Sequence, residues 1–293
     1  MIYVIDQNYF RSQELERLIE TDSTAQFVIP DVAFIEMCKG DKWQEVMRMS
    51  LGTLSKCPGR VYHSLGVGQA LKKELSTRRS INGHLSPKQF RVFVRSILFD
   101  VAKETSDGGV SLLSERMAEV QKEIRENELN HAHNQESLKT RTKIIKDALG
   151  PEVLRLLKNG LADDSERLAL IRRVAIDLLR THLKNDGWPD NSVNAFIKSK
   201  PLTLRFFILS VRHAIEWARK NGLDSMAPEK ITNDMLDQEY VLIASFFDGI
   251  LSKEAEVNRA HADLAAILRM DASLKRSANG RPPGPVRGEV HSP

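Results

Sequence analysis

Strand-forming material in this chain is confined to its two ends, and the long middle contains none. Near the start, Ile2 to Ile5 and Phe27 to Ile29 are short β-branched or aromatic runs with polar boundaries. Such runs suit strands buried on both faces of a parallel sheet. Val61 to His63, after the breaker Pro58-Gly59, and Ile250 to Ser252, after Gly249, are two further candidates. Between the strand runs the apolar residues recur at helical spacing over Glu14 to Ile19, Val32 to Lys39, Trp43 to Leu54, Gly68 to Arg79 and Pro87 to Lys103. Strands that alternate with helices predict an α/β fold built on a parallel sheet.

From about Ser106 to Gly222 only helical periodicity appears, broken at Gly150-Pro151, Asp163-Asp164, Asp186-Gly187-Trp188-Pro189 and Lys200-Pro201. The chain therefore divides into a first core part (1–105), an all-helical insertion (106–225), a second core part (226–270) and a tail (271–293). Val110, Leu113, Met117, Val120 and Ile124 form a short heptad seam that stops at Asn127, His131 and Asn134. That is too short for a stable coiled coil and reads as a helical hairpin packed on its own domain, with a dimerisation arm as the alternative. The Pro-, Gly- and charge-rich stretch from Asp271 has almost nothing to bury and is expected to be disordered.

Composition narrows the function classes. Two cysteines among 293 residues, Cys38 and Cys57, exclude a disulfide scaffold and a multi-cysteine zinc module. No uninterrupted apolar run approaches the roughly 20 residues that span a bilayer, and the start lacks a basic leader and is cut short by Asp6. A cytoplasmic location without a membrane partner is expected. With 43 basic against 39 acidic residues, the formal charge of +4 permits a nucleic-acid partner without demanding one.

Ligands of parallel α/β sheets bind where the strands end. Asp6 stands at that end of the first strand. After the second strand, Asp31 reads as the N-cap of a helix stopped by Gly40. Within that helix Glu36 interrupts a wholly apolar stretch from Val32 to Cys38, where a carboxylate is costly unless paired or bound to a metal. Near the C-terminus, a helix expected to begin at Asn233 or Asp234 and run to Phe247 precedes a strand ending at Ser252 to Glu254. A helix that leads into a parallel strand starts at the level where strands finish, which places Asp237 and Glu254 at one rim. Asp234, three residues before Asp237, shares its face. Asp248 shares the azimuth too, but eleven residues at 1.5 Å each put it about 16 Å away, at the other end of the sheet. Glu239 points elsewhere. Asp6, Glu36, Asp237 and Glu254 thus converge, and a cluster of this kind needs a hard divalent cation or a basic partner to offset repulsion. Mg²⁺ or Mn²⁺ held by carboxylates suits phosphate chemistry. Four unrelated surface acids are the alternative.

The order Ile-Tyr-Val-Ile-Asp6-Gln-Asn8, a second strand with Ile35-Glu36, and Asp237 ahead of Leu251-Ser252-Lys253-Glu254 resembles the PIN-domain nucleases. The resemblance covers residues 1–100 and 226–268 and implies a parallel sheet between helices. It also implies metal-dependent endonucleolytic hydrolysis of single-stranded RNA, with DNA as the other substrate, by a toxin, processing enzyme or defence effector. Carried across, Asp6, Glu36 and Asp237 match the three central acids, Ser252 the orienting hydroxyl with Asn8 beside it, and Asp234 an additional acid. Glu254 departs from the family's aspartate by one methylene, and about 120 residues between the matching parts have no counterpart in a minimal PIN domain. A catalytically weakened PIN-like scaffold acting through its helical insertion is the competing expectation. The insertion would wall the substrate path or offer a surface to a regulatory protein or a second copy.

Lys72, Lys73, Arg78, Arg79, Lys253 and Arg259 are the candidate contacts to a nucleic-acid backbone, which would give affinity without sequence choice. For each of them singly, a solvated helix face is the plainer reading. His63 lies near a strand end and could face the rim. His131, His133 and His213 assemble into no site, and Trp43, Trp188 and Trp217 read as packing residues.

Overall fold

A computed structural model describes residues 1–82, 84–86, 88–107, 131–158, 163–219 and 226–277. Four short strands form one fully parallel sheet: β1 (Ile2–Ile5), β2 (Gln26–Ile29), β3 (Val61–His63) and β4 (Gly249–Leu251), in the order β3-β2-β1-β4. The register aligns Tyr3 with Phe27 and Gly249, and Phe27 with Val61, so all four carboxyl ends finish at one level. The chain moves outward from β1 through β2 to β3, then returns to the other side of β1 to place β4. This reversal opens a crevice beyond the ends of β1 and β4, the usual ligand position in open parallel sheets.

Helices make up most of the remainder. In the first part, α1 (Gln13–Thr21) is capped by Ser12, whose Oγ accepts from the Leu15 amide at 3.0 Å. After β2 come α2 (Asp31–Met37) and α3 (Trp43–Leu51), and after β3 come α4 (Val67–Thr77) and α5 (Lys88–Asp107). Two of the expected ends move inward. Asp31 is the first residue of α2, with Pro30 at the cap, and α2 stops at Met37 because the Cys38 amide turns back onto the carbonyls of Phe34 and Ile35. Similarly, α3 ends at Leu51, ahead of Gly52 and a 3₁₀ turn over Leu54–Lys56.

The middle consists of helices at the described positions: α6 (His131–Leu149), α7 (Pro151–Lys158), α8 (Asp164–Asn185), α9 (Asp190–Lys198) and α10 (Leu202–Arg219). Each expected break falls between two of them. Gly150 and Gly187 take left-handed backbone (φ 77° and 74°) at two helix ends, which glycine does without a Cβ penalty. At a third break the Asp163 carboxylate accepts the Glu166 amide at 2.8 Å. The heptad seam from Val110 to Ile124 lies outside the described residues.

The last helices are α11 (Pro228–Ala244) and α12 (Ala255–Ser277). α11 begins five residues before the expected Asn233, because Pro228 supplies a pre-set first helical residue after Ala227. It ends at Ala244, with Ser245 to Phe247 in a turn, not at Phe247. α12 continues through Ser277, so the expected tail does not begin at Asp271; residues 278–293 lie outside the described residues.

The helical middle is not an independent body. One hydrophobic cluster runs from Val4, Phe27 and Ile29 in the sheet to Leu179, Leu183, Leu209 and Val211 in α8 and α10. Glu74 of α4, fully buried, accepts the amides of Leu202 and Thr203 at 2.9 and 2.8 Å and so caps α10 from across the chain. Arg212 of α10, 1% exposed, reaches Asp263 and Glu256 of α12 at 2.7 and 2.8 Å. Among the described residues, no helix is long and apolar enough to cross a membrane.

Candidate acidic site at the switch point

Asp6 follows β1 directly, and its amide donates to the Leu251 carbonyl at 3.0 Å, which extends the β1–β4 ladder by one step. The side chain is 3% exposed and accepts a short hydrogen bond from the Ser252 hydroxyl. The exit of β4 is stapled to the turn after β1. Asn8 accepts the Lys253 amide and donates to Glu254 Oε1, both at 3.1 Å, while the Glu254 amide donates to Ser252 Oγ at 3.0 Å. Asp6, Asn8, Ser252 and Glu254 therefore share one corner although about 246 residues separate the two strands' exits.

Glu36 arrives from α2 and Asp237 from α11. With the helix start at Pro228, Asp237 lies in the third turn instead of near the first, yet the charges of Glu254, Glu36 and Asp6 still act on it. Asp248 is at the opposite end, where its carboxylate accepts the Ile2 amide at 2.7 Å. The four acids act on one another. Burial, with repulsion from Glu36 and Glu254, pushes Asp6 up to about 6 although the Ser252 hydrogen bond pulls it down. Burial followed by repulsion from Glu254, Glu36, Asp6 and Asp234 pushes Asp237 up to about 8, with no lowering contribution among its causes. Two carboxyls are thus held partly or largely protonated near neutral pH.

Two participants, Tyr240 and Lys39, were not legible as site residues. Tyr240, one turn after Asp237 and fully buried, donates its hydroxyl to Glu36 Oε2 at 2.7 Å, and burial with the nearby acids raises its own pKa well above 10. Lys39 places Nζ 3.1 Å from Glu36 Oε1 and 2.8 Å from Asn233 Oδ1, which ties α2 to α11 and supplies a cation. The i,i+3 spacings of Glu36 to Lys39 and Asp237 to Tyr240 carried this signal in the sequence. Asp234 turns partly away, accepting the Trp217 indole N–H at 3.1 Å, although its charge still acts on Asp237. A cavity of about 460 Å³ adjoins the acids, with Asp237 and Glu254 in its wall beside Asp234, Glu216 and Met226.

The candidate backbone contacts scatter. Lys72 and Lys73 are exposed along α4, which leads away from the rim for about 16 Å at 1.5 Å per residue. Arg78 and Arg79 stand at its far end, Arg78 stacked 5.2 Å over the Trp188 ring, so neither is beside the acids. Lys253 adjoins Glu254 but leans toward Glu14 at 3.8 Å, and Arg259 lies 3.8 Å from Glu256. His63 is buried near the rim, with Nδ1 against the Ile29 carbonyl and Nε2 3.9 Å from Asp31. Burial lowers its pKa. Trp43 and Trp188 are buried, and so are His213 and Trp217, but these last two also stand in the wall of the cavity beside Asp234 and Asp237.

The donor set of the rim is entirely hard oxygen, the kind that Mg²⁺ or Mn²⁺ accepts and that soft-metal sites lack. Among the described residues no three His, Cys, Asp or Glu side chains form a ready-made ligand group. Ser252, Asn8, Tyr240 and Lys39 each hold one of the carboxylates in place. Fold and site together define an α/β protein with a mutually repelling acid cluster at its topological switch point. No family model, curated protein or solved structure matches the chain.

Proposed function

We propose that this protein is a PIN-like, divalent-cation-dependent endonuclease that hydrolyses phosphodiester bonds of single-stranded RNA. The observation that carries this reading is the gathering of Asp6, Glu36, Asp237 and Glu254 at the crevice of β1 and β4, with Asp6 and Asp237 pushed up to about 6 and about 8. Natural selection against instability would not retain such repulsion in a buried corner without a use for it, and a hard cation with an anionic substrate offsets it.

In this reading Asp6, Glu36 and Asp237 hold Mg²⁺ or Mn²⁺, and Glu254 completes the set through its longer side chain. The cation, when bound, polarises the phosphate and lowers the cost of ionising water. The chain's own groups prepare that chemistry. Ser252 fixes one oxygen of Asp6, Tyr240 fixes one of Glu36, and Asn8 orients Glu254. Lys39 offsets Glu36 while the site is empty of cation, and its ammonium is then available to a phosphate oxygen. The 460 Å³ cavity has room for a nucleotide beside the scissile bond.

Lys39 at 3.1 Å from Glu36 also favours a second reading, a PIN-like scaffold whose site is neutralised internally and whose helical middle carries the activity. A cleavage screen separates the two. With Mn²⁺ the nuclease cuts defined single-stranded RNA in preference to structured RNA and DNA, and excess EDTA stops it. Absence of cutting on all three substrates leaves the scaffold.

A further inference from the structure

Far from the acids, α8, α9, α10 and α12 enclose a groove of about 1100 Å³. Among the described residues that line it, Arg172, Arg173, Arg180, Lys198 and Lys200 stand against a single carboxylate, Asp177, which pairs with Arg180 at 3.2 Å, and the Lys200 ammonium donates to the Leu268 carbonyl. The formal charge of the whole chain is only +4, so this groove gathers as much positive charge as the entire protein has in excess. Its floor is aliphatic. Ile176, Ile197 and Leu268 are partly buried there, over Leu204, Ile208 and Ile267. Among the described residues, no aromatic side chain lines it.

We infer that this groove docks an acidic amphipathic helix of a partner protein. A helix laid into a groove uses an apolar stripe for affinity, and charges along its flanks set orientation and choice of partner. Aliphatic floor and basic rim match a helix with leucine-type residues on one face and Glu or Asp on the flanks. Single-stranded nucleic acid is the poorer fit, since its bases stack on aromatic side chains and the floor has none. The chain's own C-terminal stretch has the wrong sign, with Arg281 and Arg287 against Glu289. The site lies apart from the acid cluster, because Ile267 and Leu268 come about 18 Å further along α12 than its start beside Glu254. It therefore stands whether or not the protein cleaves RNA.

The test uses the full-length protein and fluorescence anisotropy of a labelled helical peptide built from leucine on one face and glutamate on the others. Saturable binding is expected, at least about ten-fold tighter than for the same peptide with lysine replacing glutamate or glutamine replacing leucine. The double variant Arg173→Glu, Lys198→Glu, at two exposed positions, weakens binding by about the same factor with an unchanged circular dichroism spectrum. Arg173→Ala gives an intermediate loss. Equal binding of the lysine peptide, absence of saturation, or displacement by single-stranded RNA overturns the inference. So does a concentration-dependent dimer that the double variant abolishes, because the occupant would then be a second copy.

Discussion

Replacing Asp237 by Asn isolates the energetic consequence of the acid cluster. In the folded protein burial and four neighbouring carboxylates hold Asp237 up to about 8, against an ordinary value of 3.8. The folded state therefore keeps a proton that the unfolded chain releases. Stability from this group is fully present below about 3.8 and is lost as pH rises toward 8. At pH 7 the gap from the ordinary value is about 3 pH units, or about 4 kcal/mol at 1.36 kcal/mol per unit. Asparagine keeps the shape and does not ionise, so the variant should gain about 2–4 kcal/mol at pH 7, part of the gap being lost to imperfect replacement of the carboxyl's hydrogen-bonding. For a chain of this size that is a rise of about 4–8 °C in Tm. A bound cation reverses the order. Mn²⁺ should raise the wild-type Tm, and more at pH 8 than at pH 6 since the acid must lose its proton to bind, while leaving the variant nearly unchanged. Differential scanning calorimetry across pH, with and without millimolar Mn²⁺, reads both effects. A variant less stable than wild type at pH 7, or one that gains as much from Mn²⁺, refutes the reasoning.

Three other substitutions probe the neighbours. Tyr240→Phe removes the 2.7 Å donor to Glu36 and should cost about 1–2 kcal/mol in urea unfolding while weakening Mn²⁺ binding; unchanged calorimetric affinity for Mn²⁺ would deny the hydroxyl a positioning role. Lys39→Met removes the cation that competes for Glu36, so Mn²⁺ should bind about three- to ten-fold tighter by titration calorimetry. If affinity instead falls, Lys39 supports the site in another way. Glu74→Ala leaves the buried amides of Ile81, Leu202 and Thr203 without their acceptor and should cost about 3 kcal/mol or more, a Tm loss of about 6 °C; a loss under 1 °C would show that the cap contributes little.

The parallel sheet was legible because Ile2–Ile5 and Phe27–Ile29 are short apolar runs, buried at Val4, Ile5 and Phe27 to Ile29, with Asp6 and Pro30 as abrupt polar or breaking exits. Helix breaks at Gly150, Asp163 and Gly187 were equally legible, since backbone chirality and capping act locally. The start of α11 was not, because Pro228 lies in a stretch whose apolar periodicity is weak and its role at the first helical position depends on Ala227 being extended. Strand order and helix phase fix direction even when helix length is misjudged, so the charges of Glu36 and Glu254 act on both Asp6 and Asp237, although no three of the acids form a ligand group among the described residues. Tyr240 escaped because its role depends on contact between α2 and α11, about 200 residues apart in sequence, and Lys39 because only its second partner, Asn233, lies that far away while its pairing with Glu36 is local. Arg78 and Arg79 show the reverse case: proximity in sequence to a strand end placed them near the rim, but α4 carries them away from it.

The most direct measurement is cleavage of a fluorescently labelled single-stranded RNA by wild-type protein and by Asp6→Asn, each with and without Mn²⁺. Asp6 is the acid most deeply set at the switch point, and Asn preserves its shape while removing the charge. Mn²⁺-dependent cutting by the wild type is expected, with a loss of at least about 100-fold in the variant and its fold intact by circular dichroism. Equal cutting by both proteins, or none by the wild type, would contradict the proposal.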